Sequence, residues 1–234
     1  MPATVRLLST LAVLRALEEV RAACEAEADV ALEVAFGPTN DMLARLAAGE
    51  VADAAILTAT AVEAMIAEGK MLAESRVDLA LSGIGLAVRA GAPRPDISTP
   101  EALRAALLAI PSIVVSRAGA SGAVFAGVVA RLGIADAVAA KSLVIPIGLT
   151  AELVARGEAA MAVQQVSELL AVAGVDLVGP LPPPLQHRAL FSAAVFSASP
   201  EAAAATRLLR CLGAALTPAL LRRHGLEPPP SEKA

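Results

Sequence analysis

Short β-branched runs alternate with amphipathic helical segments from residue 5 onward, and that alternation confines the chain to an α/β architecture. Residues 5–8 read as a strand. Residues 10–26 read as a helix, with Leu14, Leu17, Val20 or Arg21, and Cys24 on one stripe. Residues 30–36 form a second strand pattern, and Gly37-Pro38-Thr39-Asn40 is a turn opening a helix over 41–48 that Gly49 closes. A third strand at 54–57 leads into a helix at 61–68 ended by Gly69. A βαβαβα run of this kind predicts a parallel sheet with helices on both faces.

The pattern then pauses and restarts. Residues 79–88 are apolar but interrupted by Ser82-Gly83-Ile84-Gly85, where two glycines in a strand predict a bend or a close backbone approach. After a loop carrying Pro93, Pro95 and Pro100, helices are expected at 100–108, 121–132, 150–156 and 166–170. Strands are expected at 113–115, 143–145, 160–163 and 175–178. Pro180, Pro182, Pro183 and Pro184 make a stiff linker, followed by a strand at 190–196 and a helix at 200–212 that begins with proline. The expected fold is therefore α/β, with two Rossmann-like lobes whose sheets are mixed and mainly parallel. Lobe 1 takes residues 1–82 and 190–226, and lobe 2 takes 83–189. Residues 227–234 read as a disordered tail. Two hinge crossings, near 82–86 and 186–190, would let a cleft close on a small ligand.

Composition narrows the partners. The 234 residues carry 19 Lys and Arg against 23 Asp and Glu, a net charge of −4, with no Trp or Tyr. The isoelectric point is near 5.3. Neither a basic surface nor a set of stacking platforms is available, so nucleic acid is not an expected partner. Although 56% of residues are hydrophobic, no run reaches the ~18 uninterrupted apolar residues of a membrane span, so no membrane insertion is expected. Cys24 and Cys211 lie far apart, each within a helical pattern, and read as two buried small hydrophobes. No metal-ligand spacing occurs, and no cofactor motif is complete: the Gly83-Ile84-Gly85 pair lacks a third glycine, and no phosphate-binding GxxxxGK[ST] loop is present. With no leader ahead of residue 5, the chain as written reads as cytoplasmic, or as periplasmic if a leader has been removed.

Uncharged polar residues are few, and they recur at strand-to-helix turns. Ser9 and Thr10 follow the first strand, Thr39 and Asn40 the second, and Thr58 the third. In the second half, Ser116-Arg117-Ala118-Gly119-Ala120-Ser121-Gly122, Gly148-Leu149-Thr150 and Gln164-Gln165 occupy equivalent places. Ligands of open parallel sheets bind beyond the carboxyl ends of the strands, where helix N-termini present unpaired N–H groups. Ser, Thr and Asn are also ordinary helix caps, so each position has a purely structural reading as well. Arg117 is the one cation in these turns and would suit a carboxylate. A Ser-His-Asp triad is not expected: His187 lies in the proline linker and His224 near the tail, and no G-x-S-x-G elbow occurs. If a base is needed, the carboxylates available are Asp41, Asp53, Glu152 and Glu168.

At these turns the chain resembles the type II periplasmic-binding-protein fold, and within it the molybdate-binding-protein-like solute-binding family. The resemblance rests on Leu7-Leu8-Ser9-Thr10, Phe36-Gly37-Pro38-Thr39-Asn40, Leu46-Ala47-Ala48-Gly49-Glu50, Ala52-Asp53-Ala54-Ala55-Ile56, the turn from Ser116 to Gly122, and the run from Glu152 to Gln164-Gln165. It implies that an oxyanion is held by hydroxyls and amides at Ser9 or Thr10, Thr39, Ser82, Ser121 and the turn before Thr150. It also implies an ABC transporter permease as partner. True molybdate binders commonly add a tyrosine hydroxyl, which this chain does not have. Gln164-Gln165 suits an organic carboxylate better than a bare tetrahedral oxyanion.

Two functions follow. The first is a substrate-binding protein that closes two lobes on a small anion, an organic carboxylate rather than molybdate. The second is an isomerase of a small unsaturated carboxylate, like the aconitate-isomerase branch of the same family, which would need a base for a 1,3-proton shift. A ligand-sensing regulator is a third class, but no helix-turn-helix segment supports it.

Overall fold

The structure is a computed structural model, and it describes residues 2–230. The chain divides into two compact units, the first made of residues 1–82 and 189–234 and the second of residues 83–188. Among the described residues no helix is long and apolar enough to cross a membrane.

In the first unit, β1 (Ala3–Thr10) lies between β2 (Val30–Gly37) and β3 (Ala54–Thr58), parallel to both. β9 (Arg188–Val195) continues the sheet antiparallel to β3. Period-two side-chain alternation explains the layering. Val5 and Leu7 of β1 and Ala54 and Ile56 of β3 face α1 (Leu14–Ala28) and α9 (Ala202–Ala215). Leu8, Ala55 and Leu57 face the opposite way, onto α2 (Thr39–Ala47) and α3 (Ala59–Ala67). Glycines 49 and 69 lie just past α2 and α3 with φ of 94° and 69°, conformations that favour a residue without Cβ.

β4 (Val77–Arg89) carries the chain from the first unit into the second. There, β5 (Ile113–Ser116) lies between β6 (Ser142–Ile145) and β7 (Met161–Gln165), parallel to both, while β4 is antiparallel to β7 and to β8 (Val175–Pro180). One sheet face packs on α4 (Pro100–Ala109), α5 (Ala120–Arg131) and α6 (Ala135–Ala139) through Leu103, Phe125 and Val138. The other packs on α7 (Thr150–Ala155) and α8 (Val166–Leu170) through Val154 and Leu169. The sheets are mixed, with parallel triplets at the heart of each unit. The close approach expected at the paired glycines is present. A Cβ on Gly83 would lie 3.0 Å from the Gln186 side chain, and one on Gly85 would lie 2.9 Å from Val166 and 3.0 Å from the Gly179 carbonyl.

Three readings are corrected. Cys24 and Cys211 are buried, but as a disulfide between α1 and α9, with a Cα–Cα distance of 5.6 Å. Each local stripe is real; the lateral packing of the two helices that joins them is tertiary and leaves no local mark. The tail is ordered at its start: Glu227 exchanges two backbone hydrogen bonds with Leu81, both 2.8 Å. Residues 231–234 of that expected tail lie outside the described residues. Finally, α6 and α10 (Pro218–Arg223) are helices that periodicity missed. Thr217-Pro218 was a legible start signal for α10, since Thr217 caps the Leu220 N–H and proline occupies the first turn.

Candidate functional site

Parallel register puts the polar turns of each unit at one sheet edge. In the first unit Ser9 pairs with Phe36 and Ile56, and Thr10 with Gly37, so the chain leaves β1, β2 and β3 at the same end. In the second unit Ser116 pairs with Ile145, and β7 runs parallel beside β5. The turns before α5, α7 and α8 therefore share an edge as well.

At the first-unit edge, Ser9, Thr10 and Thr39 are buried, Thr58 is half-buried and Asn40 is exposed. Thr10 has the structural role that its residue type allows: its hydroxyl accepts from Ala12 N–H at 3.4 Å and caps a 3₁₀ turn at Leu11–Val13. Ser9 donates to the Thr10 carbonyl at 3.1 Å. Thr39 and Asn40 differ from the expected turn residues, because α2 starts at Thr39 and its N-cap is Pro38, which has no side-chain acceptor. α3 likewise begins after Thr58 without a side-chain cap bond. Both helices thus keep first-turn N–H groups that no cap satisfies, the arrangement that favours an anion. Thr99 caps α4 and Thr217 caps α10, while α1, α6, α7 and α9 have no side-chain cap either. Ser82, on β4 just before the second unit begins, is buried.

The second-unit edge is built around Gly119. The Ser116 hydroxyl accepts from Gly119 N–H at 3.2 Å. A Cβ on Gly119 would sit 3.1 Å from Ser116 Oγ and 3.3 Å from Ser121 Oγ, so these hydroxyls flank a residue whose missing side chain leaves room. Gly122 is required for packing, since a Cβ there would lie 2.1 Å from the Ser116 carbonyl oxygen. No side chain caps α5. Ser121 is 1% exposed, and among the described residues its hydroxyl is the one buried side-chain polar atom without a hydrogen-bond partner. An orphan donor at an uncapped helix start is the setting in which a carboxylate or oxyanion completes the bonding. Arg117 is exposed, and its backbone N–H donates to the Ile145 carbonyl at 2.9 Å.

Thr150 and Gln164 are brought together, but as a brace. Gln164 Oε1 accepts from Thr150 N–H at 2.8 Å and from Thr150 Oγ1 at 2.9 Å, while its Nε2 donates to the Gly148 carbonyl at 3.1 Å. Gln164 therefore holds the β6–α7 turn in place. Gln165 forms a capping box with Glu168, whose carboxylate accepts from Gln165 N–H at 3.3 Å.

The four carboxylates separate by environment. Asp53 accepts from Arg6 N–H at 2.8 Å and Ser199 Oγ at 2.6 Å. Glu152 is exposed beside Arg156, and Asp41 lies in the first turn of α2 within the field of Arg45. Asp53 is 6% exposed, and Glu168, equally buried, sits where burial raises its affinity for a proton. Desolvation pushes its pKa up to about 8, outweighing the opposing hydrogen bonds from Gln165 N–H and the Gln164 side chain. Sequence named Glu168 as one carboxylate among four; its burial is a tertiary fact that no local pattern carried.

Each unit thus places helix starts without side-chain caps at the carboxyl ends of its parallel strands. The chain belongs to the bacterial extracellular solute-binding protein family, whose model matches residues 5–227, and its fold is the type II, molybdate-binding-protein-like one. It is 35% identical to an aconitate isomerase of Pseudomonas sp, over 98% of this chain and 89% of that protein. Among solved structures it is similar to the periplasmic molybdate-binding protein of Azotobacter vinelandii, with a TM-score of 0.79 and 16% identity, covering 97% of this chain and 100% of that one. The sulfate-binding protein of Mycobacterium tuberculosis gives a TM-score of 0.76 and 18% identity, covering 97% and 87%.

Proposed function

We propose that the protein binds a small unsaturated tricarboxylate and shifts its double bond, as an aconitate-type isomerase. The observation that carries this reading is the 35% identity to an aconitate isomerase along 98% of the chain. The orphan Ser121 hydroxyl and the uncapped starts of α2, α3 and α5 support it, because they suit carboxylate oxygens. A 1,3-proton shift removes a proton from the methylene carbon. The electron pair spreads over the allylic carbons and the adjacent carboxylate, and a proton returns at the far carbon. Donors fixed on the carboxylates stabilise the charge as it spreads.

The test is to incubate purified protein with cis-aconitate in D2O and follow the NMR spectrum. Appearance of trans-aconitate supports the reading. Tight binding without turnover would instead favour the second reading, a carboxylate receptor serving an ABC transporter, which the family membership supports. We further propose that the protein works in an oxidising compartment, a reading supported by the Cys24–Cys211 disulfide. Alkylation with and without reductant, on protein taken directly from cells, tests it: two reactive thiols before reduction would overturn it.

A further inference from the structure

The isomerisation needs a group that can hold a proton between two carbon atoms, and of the carboxylates at the strand-end turns, Asp41, Glu152 and Glu168, only Glu168 is buried. We propose that Glu168 is that group: its carboxylate takes the proton from the substrate's methylene carbon and, as the acid, returns it to the carbon at the other end of the allylic system. This rests on the isomerase reading and deepens it. The step balances without any co-reactant. One C–H bond breaks as an O–H bond forms, and the O–H then breaks as a new C–H bond forms. The double bond moves by one position.

Position supports the assignment. Glu168 lies three residues beyond the end of β7, at the sheet edge that also carries Ser116, Ser121 and Thr150. Glu168 is 6% exposed, and its carboxylate accepts from Gln165 N–H at 3.3 Å. It belongs to a bonded series, since Gln164 joins it to Thr150 in the neighbouring turn. Among the described residues no ion pair occupies it. α8 packs against β7, α7 and β8. The charged residues on these elements are Glu152, paired with Arg156, and Asp176, which accepts from Gly91 N–H. A carboxyl whose affinity for protons lies near neutrality is suited to both halves of the transfer.

Glu168→Gln separates chemistry from structure, because the capping box accepts Gln as readily as Glu while the amide cannot carry the proton. The expected result is a loss of cis-aconitate isomerisation of about 100- to 10,000-fold, with cis-aconitate binding by calorimetry and the thermal midpoint retained. An E168Q protein that isomerises like the wild type overturns the assignment, as does one whose activity falls only in step with binding. The wild-type pH profile gives an independent check should E168Q fold poorly. kcat/KM should rise with pH along a limb near 8, as the resting carboxyl ionises, and a flat profile across about pH 6–9 overturns the assignment. The two levels of failure differ. Wild-type protein that never converts cis-aconitate defeats the isomerase reading and the Glu168 assignment with it, whereas active wild type with active E168Q defeats the assignment alone.

Discussion

Ser121 and Gly122 sit side by side and do opposite work. Ser121 carries a buried hydroxyl without a partner, so the empty protein bears the cost of an unmet donor. Ser121→Ala should therefore leave the thermal midpoint unchanged or slightly raised. It should weaken carboxylate binding roughly 10- to 100-fold, the cost of one hydrogen bond to a charged group. Calorimetric titration of cis-aconitate, paired with a melting curve, checks both halves. Gly122→Ala should behave in reverse. Its Cβ would meet the Ser116 carbonyl oxygen at 2.1 Å, so the turn must open, costing on the order of 1–3 kcal/mol of stability, measurable in a urea titration. Sequence made both positions legible, because a glycine-rich, hydroxyl-bearing segment between a strand and a helix already marks a close approach. It did not make Gln164 legible as a brace. An amide that serves its own turn and an amide offered to a ligand look alike until the partners are placed.

At the scale of elements, the strand–helix alternation was readable because each element buries one face with its own period. β1 and β3 alternate between two packed layers, as period two requires. Boundaries were less readable. α2 and α3 each begin two residues earlier than expected, since the polar residues taken for turn positions are helical first-turn or flanking residues without a capping bond. The disulfide was not readable at all, because nothing local to α1 reports that α9 packs beside it. Reduction, or the paired Cys24→Ala and Cys211→Ala variant, should lower stability by about 2–4 kcal/mol. For a chain of this size that is a midpoint drop of roughly 5–15 °C. Differential scanning calorimetry with and without reductant measures it. Caps offer a smaller test: Thr99→Ala removes the bond to Ala102 N–H and should cost about 1 kcal/mol, with carboxylate binding unaffected.

For the molecule as a whole, stability should fall with rising pH through the neutral range because of Glu168. The unfolded carboxyl ionises near its ordinary 4.5, while the folded one keeps its proton until about 8. The stabilising contribution is therefore complete below 4.5 and is lost as pH rises to about 8. Urea midpoints across that range should decline in the wild type and flatten in E168Q. The disulfide has a different consequence, one of connectivity. The chain leaves the first unit after Ser82 and comes back at Ala189, and Cys24 and Cys211 lie outside that excursion. The covalent ring they close thus contains the whole of the second unit. It cannot be sealed until synthesis has passed Cys211, so most of the polypeptide is already made when the bond forms. Once sealed, a single protease nick anywhere within the ring releases nothing. The cut protein runs as one species on a non-reducing gel and separates into two fragments only when a thiol is added.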